Sequence, residues 1–417
     1  MRIVALFSLL LILGMIGSQL LVGIAGEAYP QTRLAVQVLT MVGLAFIMIH
    51  VGYEFEIDKS NLRQYGWDYV VAMTAAAFPW IFGSVYFVFV MLPADIWGLG
   101  QTWKETLLAG RFAAPTSAGV LVAMLAAAGL SATWVFKKAR ILAIFDDIDT
   151  ILFMIPLKIL MIGMAWHLSV NVVIMVVLLY LAWRYLHRWQ IPTSWPWVLG
   201  YSIAIGLTCE LTYLSSKAIY NAPIDIEVLL PAFVLGCMMK RPAGSDPHAN
   251  NTREGHQEGP TSTVEQRVST IITAAFMLLV GLNMPQMIGE AADAAVSSAP
   301  TTITAAQPLP TWWMIGVHVV GLTVLINLGK MFPLLCYRLD AHWKERLALS
   351  IALFPRGEVG AGVLMVSLAF GIGGPIVTVA LLCLALNLIL TGVFIVAVKR
   401  LLAMVEHVES THIRNRK

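Results

Sequence analysis

The chain is assembled from apolar runs about 20 residues long, the length that carries an α-helix across a bilayer. Residues 376–398, IVTVALLCLALNLILTGVFIVAV, contain no charged side chain, and similar runs recur along the sequence. Hydrophobic residues make up 59% of the 417 and charged residues only 12%, against about 25% charged in soluble domains. The chain therefore reads as an all-α polytopic membrane protein without a soluble catalytic domain. Cys209, Cys237, Cys336 and Cys383 all fall within apolar runs, which argues against a disulfide framework or a thiolate metal site.

Twelve transmembrane helices are expected. They lie near 3–24, 34–55, 67–92, 106–128, 140–163, 169–186, 195–214, 225–239, 269–288, 312–336, 344–370 and 374–403. With the N-terminus in the cytoplasm, most of the 27 basic residues fall on the cytoplasmic side, and only Arg33, Lys104 and Lys217 fall outside. That asymmetry favours cytoplasmic N- and C-termini. The first run, MRIVALFSLLLILG, reads as a retained helix, with a cleavable signal peptide as the alternative. The polar stretch at 240–268 reads as a cytoplasmic linker in which His248 and His256 are incidental, and 404–417 reads as a cytoplasmic tail.

Some charges do not fit into loops. Asp146, Asp147 and Asp149 sit in AIFDDIDTILFMIPL, and Glu358, Arg111, Lys158, Lys330 and Arg356 also lie within spans. Each charge alone near the bilayer centre costs at least about 2.5 kcal/mol on insertion scales, so mutual pairing is expected. At about 1.5 Å per residue, Asp146 and Asp147 lie roughly 7 Å to the cytoplasmic side of their span's centre, and Lys330 roughly 9 Å to the same side of its own. A lysine level with a carboxylate in a partly dry site is a candidate for function.

Two spans carry breaks. Span four reads AAPTSAGVLVAML around Pro115, and span eleven reads FPRGEVGAGVLMVSL around Pro355 and Gly357. Proline removes a backbone donor and glycine is a poor helix former. Unwound backbone is tolerated in a membrane only within protein or beside a water-filled cavity. Both segments contain Ala-Gly-Val-Leu, at 118–121 and at 361–364, and they run in opposite directions. Interrupted spans of opposite sense point to an inverted repeat with a binding site between its halves; simple proline kinks are the alternative.

These residues resemble the monovalent cation:proton antiporter superfamily, in particular its bacterial paired-aspartate branch of sodium/proton antiporters. The matching stretches are GLAFIMIHVGYEFEID, APTSAGV, FDDIDTI, PAFVLGCMM, FMLLVGLNMP, LGKMFPLL and LFPRGEVGAGV. The resemblance implies that Asp147 alternately binds a cation and a proton, and that Asp146 pairs with Lys330. It also implies that Thr116 and Ser117 line the site at the crossing of discontinuous spans 4 and 11. A core bundle at 67–163 and 312–403 would move against scaffold helices at 1–55 and 169–239, usually in a homodimer, in a bacterial inner membrane.

Read by their own chemistry, Arg356 and Glu358 compensate the half-helix ends at their break. Arg111 and Asp149, at similar depth on antiparallel neighbours, are expected to pair. Lys158 reaches for the outer interface, Glu54 is interfacial and Glu210 reaches water. Asn283, Asn327 and Asn387 satisfy interhelical hydrogen bonds, and Trp195, Trp197, Trp312 and Trp313 form part of an aromatic belt.

The function expected is secondary active, electrogenic exchange of a monovalent cation, with Na+ ahead of Li+ or K+, for H+ by alternating access. No P-loop is present, so neither a nucleotide nor another cofactor is expected, nor is nucleic acid; the protein is not expected to be an enzyme. A cation-selective channel and an ion-coupled symporter of an organic solute on a similar fold are the alternatives.

Overall fold

The computed structural model describes residues 2–53, 62–162, 166–220, 226, 228–240, 263–283 and 302–414. The side chains of Asp147, Lys158 and Glu358 lie outside this description, as do Glu54, His248, His256 and most of the expected linker. All regular elements among the described residues are helical.

In chain order the helices are α1 (Arg2–Ala25), α2 (Tyr29–Tyr53), α3 (Leu62–Tyr86), α4 (Gly100–Gly110) and α5 (Ala118–Ala127). There follow α6 (Trp134–Ile162), α7 (Trp166–Arg184), α8 (Trp195–Tyr220), α9 (Leu229–Met238) and α10 (Thr263–Leu282). The last are α11 (Trp312–Gly329), α12 (Trp343–Ala352), α13 (Glu358–Ala369) and α14 (Gly374–Arg414). Each of the twelve expected spans overlaps, among the described residues, a helix or two half-helices in series. Among the described residues, 7 helices are long and apolar enough to cross a membrane, and shorter apolar helices lie at Ser169–Arg184, Leu229–Met238, Arg267–Leu282 and Val359–Leu368. The fold is an all-α polytopic membrane protein.

Local chemistry sets several boundaries. Ser117 caps α5 by accepting a hydrogen bond from the Val120 N–H, and His342 and Glu345 form a capping box at the start of α12. Trp312 and Trp313, at the start of α11, are among the most exposed large side chains, 73% and 78%, which suits an interfacial position.

Contacts divide the chain into two compact units, Met1–Tyr29 with Ser60–Gly163 and Val280–Lys417, and Pro30–Lys59 with Met164–Leu279. In the first, α3 packs on α6 and α11, α14 packs on α1, α11 and α12, and the turn after α4 packs on α13. Gly329, at the end of α11, lets this helix lie on α3 so closely that a Cβ there would stand 2.7 Å from the backbone nitrogen of Pro79.

In the second unit, α7 and α8 both pack against α9, and α2 crosses α9 backbone to backbone. A Cβ on Gly236 would stand 2.8 Å from the Tyr53 nitrogen and 3.0 Å from the Gly52 Cα, with the Ile49 carbonyl closer still. These are main-chain atoms that no rotamer change can move aside. Gly236→Ala is therefore expected to destabilise the protein by about 1–3 kcal/mol, read as a lower melting temperature in detergent. Gly66→Ala, in α3 with nothing within 4 Å of the new methyl, should be neutral or slightly stabilising.

Candidate ion-exchange site

The site lies within the first unit, where two interrupted helices cross. α4 tightens into a 3-10 turn at Arg111–Ala113, and the chain then runs extended through Pro115 to the Ser117 cap of α5. On the other side α12 ends at Ala352, and an extended segment through Pro355 leads into α13. The exposed backbone groups of one break are satisfied by the other. Ser117 donates its N–H to the Pro355 carbonyl at 3.0 Å, and the Thr116 hydroxyl donates to the Leu353 carbonyl at 3.0 Å. Gly357 eases this closeness, because a Cβ there would lie 3.1 Å from the Ser117 Oγ, a tight contact.

Asp146 reaches this crossing from α6. Its Oδ2 accepts the Thr116 N–H at 2.8 Å and the Lys330 ammonium at 2.7 Å. Both partners of the ion pair are almost wholly buried, so the carboxylate stands at a positive helix end with a matched countercharge. Its Oδ1 is buried and takes no hydrogen bond among the described residues. Asp147 follows on the same helix, and Thr150 returns its hydroxyl to the Asp146 carbonyl at 2.8 Å.

Arg356 is fully buried and ties the two breaks to the helices around them. Its Nε donates to the Ala113 carbonyl at 2.9 Å, its Nη1 donates to Asn327 Oδ1 (2.6 Å), Phe354 O (3.1 Å) and Asn387 Oδ1 (3.2 Å), and its Nη2 donates to Ile326 O at 3.4 Å. Ala113 and Ile326 sit at the ends of the α4 turn and of α11, so a cation meets the negative ends of two helices. Asn327 and Asn387 also bond each other at 3.1 Å, the interhelical role expected of them.

Arg111 and Asp149 meet differently from expectation. Arg111 Nη2 donates at 2.9 Å to the main-chain carbonyl of Asp149, and its guanidinium lies 5.0 Å from the Trp80 ring centroid and 5.1 Å from that of Phe153. Neither Asp149 carboxylate oxygen takes a hydrogen bond of good geometry, although the Tyr69 hydroxyl faces it. The anticipated pairing of charges is thus a contact through the backbone, with the guanidinium beside two aromatic rings that pack on each other at 5.7 Å between centroids.

Two further buried acids escape a reading of the sequence. Asp68 in α3 accepts two hydrogen bonds from Lys138, at 2.8 and 2.9 Å, and one from the Tyr337 hydroxyl at 2.7 Å. Burial first, and then the Asp68 carboxylate, raise the Tyr337 phenol far above its ordinary range, so it remains a donor. Lys138, between the expected fourth and fifth spans, is only 6% exposed. Glu105, fully buried in α4, accepts from Gln101, from the Ile303 N–H and from both the N–H and hydroxyl of Thr304. Glu210 is likewise buried, at 7% exposed, rather than reaching water. Among the described residues no cluster of three or more His, Cys, Asp or Glu forms a conventional metal site.

Fold and site together describe a membrane protein whose charged groups are buried where two broken helices cross. The model of the family described as "Sodium/hydrogen exchanger, transmembrane" matches residues 2–401. The chain belongs to this family, and through it to the monovalent cation:proton antiporter superfamily, whose members are transporters and not enzymes. A search of curated proteins returned no match.

Proposed function

We propose that the protein exchanges Na+, or a similar monovalent cation, for H+ by alternating access, with Asp147 and Asp146 as the exchanging carboxylates. The observation that carries this reading is Asp146, held at 2.7 Å by Lys330 and at 2.8 Å by the Thr116 N–H where the breaks cross. A carboxylate is both a hard-cation ligand and a proton site, and its two occupants exclude one another. Loaded carriers, protonated or cation-bound, are neutralised and can change access; the empty, charged one crosses poorly.

Cation binding would draw Asp146 away from Lys330, and loss of the ammonium proton would then make exchange electrogenic. Thr116 and Ser117 would line the path with oxygen atoms, and Arg356 with Glu358 would compensate the half-helix ends. The opposed breaks and their shared Ala-Gly-Val-Leu support an inverted repeat. By resemblance to the paired-aspartate branch, the remaining features are a mobile core against a scaffold, a homodimer, and a bacterial inner membrane with both termini cytoplasmic.

The test is an imposed pH gradient in proteoliposomes, with Na+, Li+ and K+ added in turn. Wild-type protein should dissipate the gradient on cation addition, with a rate that depends on membrane potential, and Asp147→Asn should reduce the rate at least a hundredfold. Cation flux that leaves the pH gradient intact would identify a channel instead. Wild-type exchange by Asp147→Asn would remove this residue from the mechanism.

A further inference from the structure

We propose that Asp149 is an additional ligand of the transported cation, acting with Asp146 from one face of α6; the inference rests on the exchange reading above. Residues three apart on a helix are neighbours, with Cβ atoms about 5–6 Å from each other. Asp149 is 0% exposed and Asp146 only 2%. Asp149 Oδ1 and Oδ2, together with Asp146 Oδ1, are buried oxygens without a hydrogen bond. A carboxylate deprived of water and given no donor in good hydrogen-bond geometry is held at a cost.

The groups around Asp149 relieve that cost only in part. Those that act on it electrostatically are Asp146 on its own helix, Tyr69 from α3, Arg111 from the turn after α4, and Lys330 at the end of α11. The Lys330 ammonium is committed to Asp146 Oδ2. Arg111 directs its Nη2 to the Asp149 main-chain carbonyl and packs beside Trp80 and Phe153. Tyr69 is neutral and makes no bond of good geometry to the carboxylate. A fixed pair of opposite charges would have used the Arg111 fork against the carboxylate, and this geometry declines it.

Three acceptor oxygens from two carboxylates, with neither sulfur nor imidazole among them, suit a hard, small cation. The field of a second carboxylate should favour the smaller alkali ions, because selectivity follows the number and field strength of the coordinating oxygens. Asp149 thereby becomes a determinant of specificity: the site prefers Na+ or Li+ to K+. Arg111 is a positioning residue, which holds the α6 turn through its carbonyl and leaves the carboxylate to the ion.

The experiment compares wild type, Asp149→Asn and Asp149→Glu as full chains, using cation-driven dissipation of a pH gradient in proteoliposomes. Sodium-dependent rise of the melting temperature in detergent supplies a readout independent of transport. For Asp149→Asn the apparent KM for Na+ should rise at least tenfold, the preference for Na+ over K+ should shrink, and the sodium-dependent thermal shift should fall. Asp149→Glu should recover part of each. An unchanged KM, ion preference and thermal shift in Asp149→Asn overturns the proposal, as does a loss of maximal rate alone. If the amide variant does not accumulate folded, Asp149→Glu decides, since moving the carboxylate by one methylene must change KM or ion preference and no change in either overturns the proposal. Absence of exchange in the wild type would instead bring down the exchange reading, so the two failures are told apart by the lane in which they occur.

Discussion

Arg356→Leu is expected to yield almost no folded protein. Five acceptors converge on this guanidinium: the carbonyls of Ala113, Phe354 and Ile326 and the side-chain oxygens of Asn327 and Asn387. Leucine removes the desolvation cost of a buried cation, which favours the variant, but it leaves the acceptors behind. Asn387 Oδ1 keeps the amide of Asn327 and the Ile326 carbonyl keeps the Lys330 N–H at 3.3 Å, which leaves the Ala113 and Phe354 carbonyls and Asn327 Oδ1 to lose this donor. Each orphaned buried acceptor costs about 1–3 kcal/mol, so the losses together approach the about 5–15 kcal/mol that separates native from unfolded chains. Lysine keeps the charge but cannot reproduce a planar fork reaching in several directions, so Arg356→Lys should recover only part of the yield. Monodisperse protein after size exclusion, and its melting temperature, measure both. A leucine variant that accumulates and melts like wild type would show that the breaks are held by other contacts.

How far the sequence discloses this arrangement depends on how local the cause is. Helix positions are legible because an apolar run of spanning length has one inexpensive way to satisfy its backbone. The breaks are legible because Pro115 and Pro355 each remove a donor at a fixed point in such a run. Lys330 could be levelled with Asp146 because rise per residue is constant along a helix, and the coordinates place 2.7 Å between their charged atoms. Partner choice is different. Asp68 and Glu105 stand within two turns of where α3 and α4 begin, a depth at which an acid ordinarily meets water. Only the tertiary fold delivers Lys138 and Tyr337 to one, and Thr304 to the other, from as far as 269 residues away. Arg111 shows a finer limit: depth brought it to Asp149, yet the rings of Trp80 and Phe153 determine which atoms it meets.

Lys330→Met should destabilise the protein more than loss of a surface charge could, and a second substitution should reverse much of the damage. Methionine fills the space of the lysine stem, so the principal change is electrostatic: Asp146 Oδ2 retains the Thr116 N–H and loses its only ion-pair partner among the described contacts. Breaking a buried pair from one side costs about 3–5 kcal/mol, or roughly 5–10 °C in melting temperature. Exchange should fall with it, since the carboxylate loses the charge that holds it between turnovers. Adding Asp146→Asn removes the stranded carboxylate while leaving an oxygen that can accept the Thr116 N–H. The double variant should therefore melt within a few degrees of wild type and remain inactive, separating the stability role of the pair from its role in exchange. Losses that simply add would mean that the two side chains are energetically independent despite their contact. Recovery of stability without recovery of transport is what a buried ion pair kept for its chemistry must produce, since two neutral side chains can fill the same space without carrying an ion or a proton.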